Sequence, residues 1–173
     1  MMTGRFVRHV LLAAATVALL SCERPSPLGV NSARPNAGIL DPTAVTGLLR
    51  CSPLPEASVT QTIGPEGGTL SVGPHRLTIP AGALAVPVTI TAVAPSDTVA
   101  QVRFFPEGLT FASPASLTMS YANCDGLNLL APKQVAYTTD ALAILQVLTS
   151  FDDVPGHQVT ASLQHFSTYA IAW

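Results

Sequence analysis

Charge is scarce in this chain. Only 10% of its 173 residues are charged, Lys133 is the single lysine, and neither sign forms a run. Eight basic side chains stand against ten acidic ones, for a formal charge of −2 and a pI near 6.0. Binding to a phosphate backbone draws its affinity from clustered Lys and Arg, so nucleic acid is excluded as a partner. Long hydrophobic runs are also missing. The longest, Val10 to Leu20, is eleven residues, whereas a helix crossing hydrocarbon needs about 20. No Gly-x-Ser-x-Gly elbow, phosphate loop or dinucleotide fingerprint occurs, which removes the commonest signatures of hydrolases and nucleotide-dependent enzymes. His75, His157 and His165 lack metal-ligand spacing with Cys or acidic neighbours, and Asp152-Asp153 reads as a solvated turn before Pro155-Gly156. The expectation is a protein without conventional enzymatic activity, metal or cofactor.

Apolar residues make up 48% of the chain, and the mean hydropathy is +0.42. Much of that excess lies in the first twenty-one residues. Arg5, Arg8 and His9 precede the run VLLAAATVALL, and a basic opening before an apolar core of about 7 to 15 residues is the pattern of a secretory signal. The run ends in Leu19-Leu20-Ser21-Cys22, which resembles the lipobox of bacterial lipoproteins. Leu20 is bulkier than the small residue most often found at its place. The resemblance implies that Cys22 carries a thioether-linked diacylglycerol, that residues 1–21 are cut away, and that the new amino terminus is acylated. The alternative is an ordinary signal cut nearby, with Cys22 free or disulfide-bonded. Two or three acyl chains anchor stably at about 0.8 kcal/mol per buried CH₂, so no spanning helix is required. Loss of Arg5 and Arg8 leaves six basic side chains against ten acidic, a charge of −4; such a surface is not drawn to anionic headgroups, and the tether alone holds it. Glu23 does not match the Asp retention signal of some lipoproteins, so an outer membrane is expected where the host has one.

Residues 22–57 read as the lipidated Cys and a Pro-rich linker, with Pro25, Pro27, Pro35 and Pro42 among Ser, Asn and Gly; that composition cannot bury a core. Within it, Asp41-Pro42-Thr43 followed by Val45, Leu48 and Leu49 predicts a capped turn or two of helix. From Ser58 to Trp173 the pattern changes to period two, rich in Thr, Val and Ile. The predicted strands are Val59–Ile63, Thr69–Val72, Arg76–Ile79, Val88–Ala94, Val99–Phe105, Ser116–Tyr121, Gln134–Thr138, Ile144–Leu148, Gln158–Leu163 and Thr168–Trp173. Pro and Gly pairs punctuate them, as in Pro65-Glu66-Gly67-Gly68, Pro80-Ala81-Gly82 and Pro106-Glu107-Gly108. Asp140 to Leu148 can be written as a capped helix, but between a Tyr/Thr strand and a β-rich tail it reads as half of a hairpin. Short strands at this spacing predict an all-β, antiparallel sandwich over residues 58–173, large enough to fold without metals or many staples. Once Cys22 is set aside, Cys51 and Cys124 remain, one before the first strand and one in a turn. In an oxidising compartment they predict a disulfide that pins the linker's end to the sandwich; two unpaired thiols are the other reading.

Four motifs in order carry a second resemblance: Ile63-Gly64-Pro65-Glu66-Gly67-Gly68-Thr69-Leu70, Leu77-Thr78-Ile79-Pro80-Ala81-Gly82-Ala83-Leu84, Phe105-Pro106-Glu107-Gly108-Leu109-Thr110-Phe111 with Pro114, and His165-Phe166-Ser167-Thr168-Tyr169. Over residues 59–173 the chain resembles the ZU-five domain, the β-sandwich module of zonula-occludens proteins, netrin receptors, ankyrins and death-domain adaptors. Each motif also has a plain structural job in turning the chain. In some members His-Phe-Ser is a self-cleavage site. Carried over, Ser167 attacks the Phe166 carbonyl, His165 accepts the proton, and the resulting ester is hydrolysed. The opposing reading has His165 and Ser167 facing outward or capping a turn while Phe166 fills the core, and it is the one adopted here. The expected function is an anchored, exported, non-enzymatic interaction module at the cell envelope. Its partner is an envelope protein or a glycan, met through loops such as Asp125 to Pro132 or Asp152 to His157, or through an exposed edge strand. A passive envelope component is the third possibility.

Overall fold

The computed structural model describes residues 47–124 and 131–173. Residues 1–46, where the expected signal, lipobox and most of the expected linker fall, and residues 125–130, within the expected contact loop from Asp125 to Pro132, lie outside the described residues.

The described residues form eleven strands and no helix: β1 (Ala57–Ile63), β2 (Gly68–Val72), β3 (His75–Ile79), β4 (Val88–Ala94), β5 (Gln101–Phe105), β6 (Thr110–Ser120), β7 (Gln134–Thr138), β8 (Ile144–Val147), β9 (Ser150–Asp153), β10 (Gln158–His165) and β11 (Thr168–Ala172). They pair antiparallel in two packed sheets, one ordered β1-β4-β5-β11-β7-β8 and the other β2-β3-β6-β10-β9. The all-β antiparallel sandwich read from the sequence is what the chain forms.

Period two explains the layers. In β3, His75, Leu77 and Ile79 are buried while Arg76 and Thr78 are exposed, and in β4 Ile90, Ala92 and Ala94 point inward. Both sheets send such residues into one core that includes Leu70, Leu77, Ile90, Phe104, Leu117 and Phe166. Each fully buried side chain of this kind contributes about 1.5–3 kcal/mol. Outward-facing threonines pair across the strands, Thr60 with Thr91 at 2.9 Å and Thr62 with Thr89 at 3.0 Å, in the β1–β4 register. At the β1–β2 turn Gly67 has a φ of 75°. A Cβ there would press on the Ile79 carbonyl oxygen and stand 2.7 Å from the Pro80 carbonyl carbon, so only Gly fits.

Four expectations are corrected. Leu48 and Leu49 are extended, not helical: Leu48 bridges Ala172, and the Leu49 N–H donates to the Ile171 carbonyl at 2.9 Å. Burying Leu49 against the end of β11 outweighs a short capped turn, which bears the full cost of helix nucleation. Asp41 to Thr46 lie outside the described residues. Secondly, the sandwich takes in Gly47 to Ser52, upstream of the expected boundary at 58, with the Cys51 and Ser52 N–H groups bonded to Thr98 and Asn123 carbonyls at 2.8 Å each. Thirdly, Asp152-Asp153 belongs to β9 and pairs with β10; the turn begins only at Val154. Fourthly, β6 starts at Thr110 and runs through Pro114. Opposite that proline the β6–β10 register shifts between Leu163 and His165, and such a bulge accommodates a residue without an N–H. The Asp140–Leu148 segment is half of a hairpin, as expected, with β8 against β7.

His75 is buried, and its Nδ1 accepts the Ser120 N–H at 3.2 Å. Burial pushes its pKa down from 6.5 to about 4. The unfolded chain therefore binds a proton that the folded chain refuses, and stability falls with pH across that window. The His75 contribution is complete above pH 6.5 and is lost progressively as pH falls, with about 3 kcal/mol gone by pH 4. Urea midpoints between pH 7 and 4 should show this slope in the native chain and a flatter one in His75→Gln. Equal slopes would remove His75 as the cause.

Candidate functional site

The residues singled out in the sequence fall at separate places on the sandwich. Cys51 and Cys124 come together as an isolated antiparallel bridge and form a disulfide-capable pair, 73 positions apart in sequence with Cα atoms 3.7 Å apart. The Asn123 Nδ2 donates to the Ser52 carbonyl at 2.6 Å beside them. Cys22 lies outside the described residues. Among the described residues no group of three or more His, Cys, Asp or Glu side chains could hold a metal ion.

The His165-Phe166-Ser167 corner joins β10 to β11. Phe166 is wholly buried, stacked on Phe104 with centroids 5.1 Å apart and edge-on to Phe111 at 5.0 Å. Its N–H donates to the Leu109 carbonyl at 2.8 Å, and its carbonyl accepts the Gly108 N–H at 2.9 Å. The Pro106-Glu107-Gly108 turn, with Gly108 at a φ of 76°, is thereby stitched to the corner. His165 is half-buried against Tyr137, ring centroids 5.0 Å apart, and its Nδ1 lies 3.3 Å from the Phe166 oxygen. Ser167 is 5% exposed, so it does not face outward, and its carbonyl accepts the Phe104 N–H at 3.1 Å. No hydrogen bond joins His165 to Ser167; the imidazole is turned toward the carbonyl that would be attacked rather than the hydroxyl that would attack. The Tyr169 hydroxyl donates to the His165 carbonyl at 2.6 Å, and burial, with Tyr137 nearby, holds that phenol above its ordinary pKa.

A second cluster lies where the segments around Ala131 and Asp152 converge, and the sequence reading missed it. The Tyr121 hydroxyl donates to Asp152 Oδ1 at 2.6 Å, and the Lys133 N–H donates to Oδ2 at 2.8 Å. Lys133 Nζ donates to the Ala131 carbonyl and lies 5.8 Å from the centre of the Tyr121 ring, a cation–π arrangement. Burial lowers the Lys133 pKa while Asp152 opposes it. Burial, then the bond to Asp152, raises that of Tyr121. This network ties the residue after β6 and the residue before β7 to β9. No spacing in the sequence announces it, because strand register alone brings positions 121, 133 and 152 together.

Among the described residues, exposed large apolar side chains flank the crossover from β8 to β9, which carries the chain from the edge of one sheet to the edge of the other. Ser150 fixes it: its Oγ donates to the Leu148 carbonyl at 2.8 Å and accepts the Val135 N–H at 2.9 Å. On the flanking strands and the turn after β9, Phe151 is 73% exposed, Leu145 55% and Val154 45%. The expected contact loop Asp152 to His157 thus begins inside the network and ends in an exposed turn. Phe151, just before it, was missed; an aromatic residue flanked by Ser150 and Asp152 gives no periodic signal.

Comparison of the sequence with protein-family models and with curated proteins found no match.

Proposed function

We propose that the chain is an exported lipoprotein, anchored through acylated Cys22, that presents a ZU-five-like sandwich as a non-enzymatic interaction module at the cell envelope. The observation that carries the module reading is the β8–β9 crossover: Leu145 on β8, Phe151 on β9 and Val154 just after it stand exposed at the two sheet edges that the crossover joins, and the Ser150 hydroxyl ties the crossover to Leu148 and Val135. Exposed apolar groups on fixed elements are characteristic of contact surfaces. The export reading is supported by the basic opening, the eleven-residue apolar run and the Leu19-Leu20-Ser21-Cys22 motif. Envelope fractionation with cross-linking tests both. The chain should sediment with membranes, resist salt and dissolve in detergent, and Leu145→Glu should lose a cross-linked envelope component that the native chain captures. A soluble cytosolic chain would refute the export reading, and identical cross-links in Leu145→Glu would refute the contact surface.

Self-cleavage between Phe166 and Ser167 is the second reading, favoured by one observation: the carbonyl to be attacked already receives the Gly108 N–H and faces His165 Nδ1. Against it stands the missing bond from His165 to Ser167, without which the hydroxyl is a weak nucleophile. We expect a single mass for the carboxy-terminal region under denaturing conditions. A separated 167–173 peptide would reverse that preference.

A further inference from the structure

The outer face of the five-stranded sheet holds an ordered array of hydroxyls. One row runs Ser71, Arg76, Thr118, Thr160, Phe151, each side chain directly opposite the next in the register. A second row, two residues along each strand, runs Thr69, Thr78, Ser116, Ser162. All nine alternate with inward-facing residues and point away from the core. Strand geometry spaces neighbours in a row by about 4.8 Å and the two rows by roughly 7 Å. The two rows contain one charge, Arg76, and at the end of the first stands the exposed Phe151 ring. Beside that ring is a depression of about 310 Å³, lined by Thr149, Ser150, Phe151, Thr160, Ala161 and Ser162.

We propose that this face binds a neutral β-linked polysaccharide, laid along the rows and across the strands, with one sugar ring stacked on Phe151 in the depression. The inference rests on the reading of the sandwich as an exposed interaction module and names what that module holds. Thr118 and Thr160 Oγ1 bond each other at 2.9 Å, but a hydroxyl has one donor and two acceptor positions, so the array keeps capacity to match a polyol, and the spacing between strands is about that of successive pyranose rings. The ring of Phe151 offers apolar area to the C–H face of a sugar. A phosphate backbone or anionic lipid surface requires clustered cations, which this face lacks, and apart from Phe151 the two rows carry none of the large apolar side chains that fill the centre of a protein interface.

Affinity electrophoresis of the full chain in detergent, through gels containing hydroxyethylcellulose or soluble chitin oligosaccharides, tests this. The native chain should be retarded equally at low and high salt, since the contact is uncharged. Phe151→Ala should weaken retardation about tenfold, and Thr78→Glu, an exposed substitution within the second row on β3, should also weaken it. Melting curves matching the native chain establish that both variants fold. No retardation by neutral glycans, equal retardation in Phe151→Ala, or binding only to acidic polysaccharide and lost in salt would each overturn the proposal. Phe151-dependent cross-links to a protein, with no glycan bound, overturn the glycan while leaving the module reading in place. Recovery of the chain from cytosol with residues 1–21 attached removes both.

Discussion

Phe166→Ala should lower the unfolding free energy by about 4 kcal/mol. The ring has no exposed surface, and two other rings, those of Phe104 and Phe111, enclose it at about 5 Å. Truncation forfeits the transfer free energy, leaves a cavity between two sheets that cannot close independently, and breaks both aromatic contacts, each worth about 0.5–1.5 kcal/mol beyond area. The backbone around it is fixed by Leu109 and Gly108, so collapse into the space is limited. Trp173, the sole tryptophan, follows β11 and exchanges backbone hydrogen bonds with Gly47, which makes its fluorescence a reporter in urea titrations. By contrast Phe151→Ala, at an exposed position, should change stability by under about 0.5 kcal/mol. A small loss at Phe166 would mean that the corner is not part of the core.

The Cys51–Cys124 pair should give an effect of similar size. Closing 73 positions of chain restricts the unfolded ensemble by about 4 kcal/mol on the loop-entropy account. Reductant, or the double substitution of Cys51 and Cys124 by Ala, should shift the urea midpoint accordingly. The shift in reductant should vanish in the double variant. Beyond the global effect, amide exchange should quicken first in Gly47 to Ser52, because that segment is held to the sandwich at its end by this pair and by a few backbone bonds to Ile171, Thr98 and Asn123. Insensitivity of the native chain to reductant would support two unpaired thiols.

Where burial alternates along a strand, the sequence reveals the strand: β3 and β10 carry apolar residues at every second position, and both were legible within two residues of their ends. β9 was not, because Ser-Phe-Asp-Asp has no apolar alternation; it is a strand because Asp152 gathers the Tyr121 hydroxyl and the Lys133 N–H and because β10 offers a free edge. Leu48 and Leu49 fit helical spacing as well as a strand, and only the open end of β11 decides between them. The cysteine pair was legible by parity once Cys22 was assigned to the amino terminus. The His165-Phe166-Ser167 corner was legible as a motif but not as geometry, since nothing in three consecutive letters says that the imidazole faces the carbonyl. The hydroxyl rows were hidden for a similar reason: each strand contributes only one residue to each row.

Intact-mass and peptide mapping of the chain purified from cell envelopes bears most directly on the whole account. The amino-terminal peptide should begin at Cys22 and carry the added mass of two or three acyl chains, with residues 1–21 absent. An unmodified chain that still begins at Met1, or one cut by an ordinary signal peptidase with Cys22 unacylated, would contradict it.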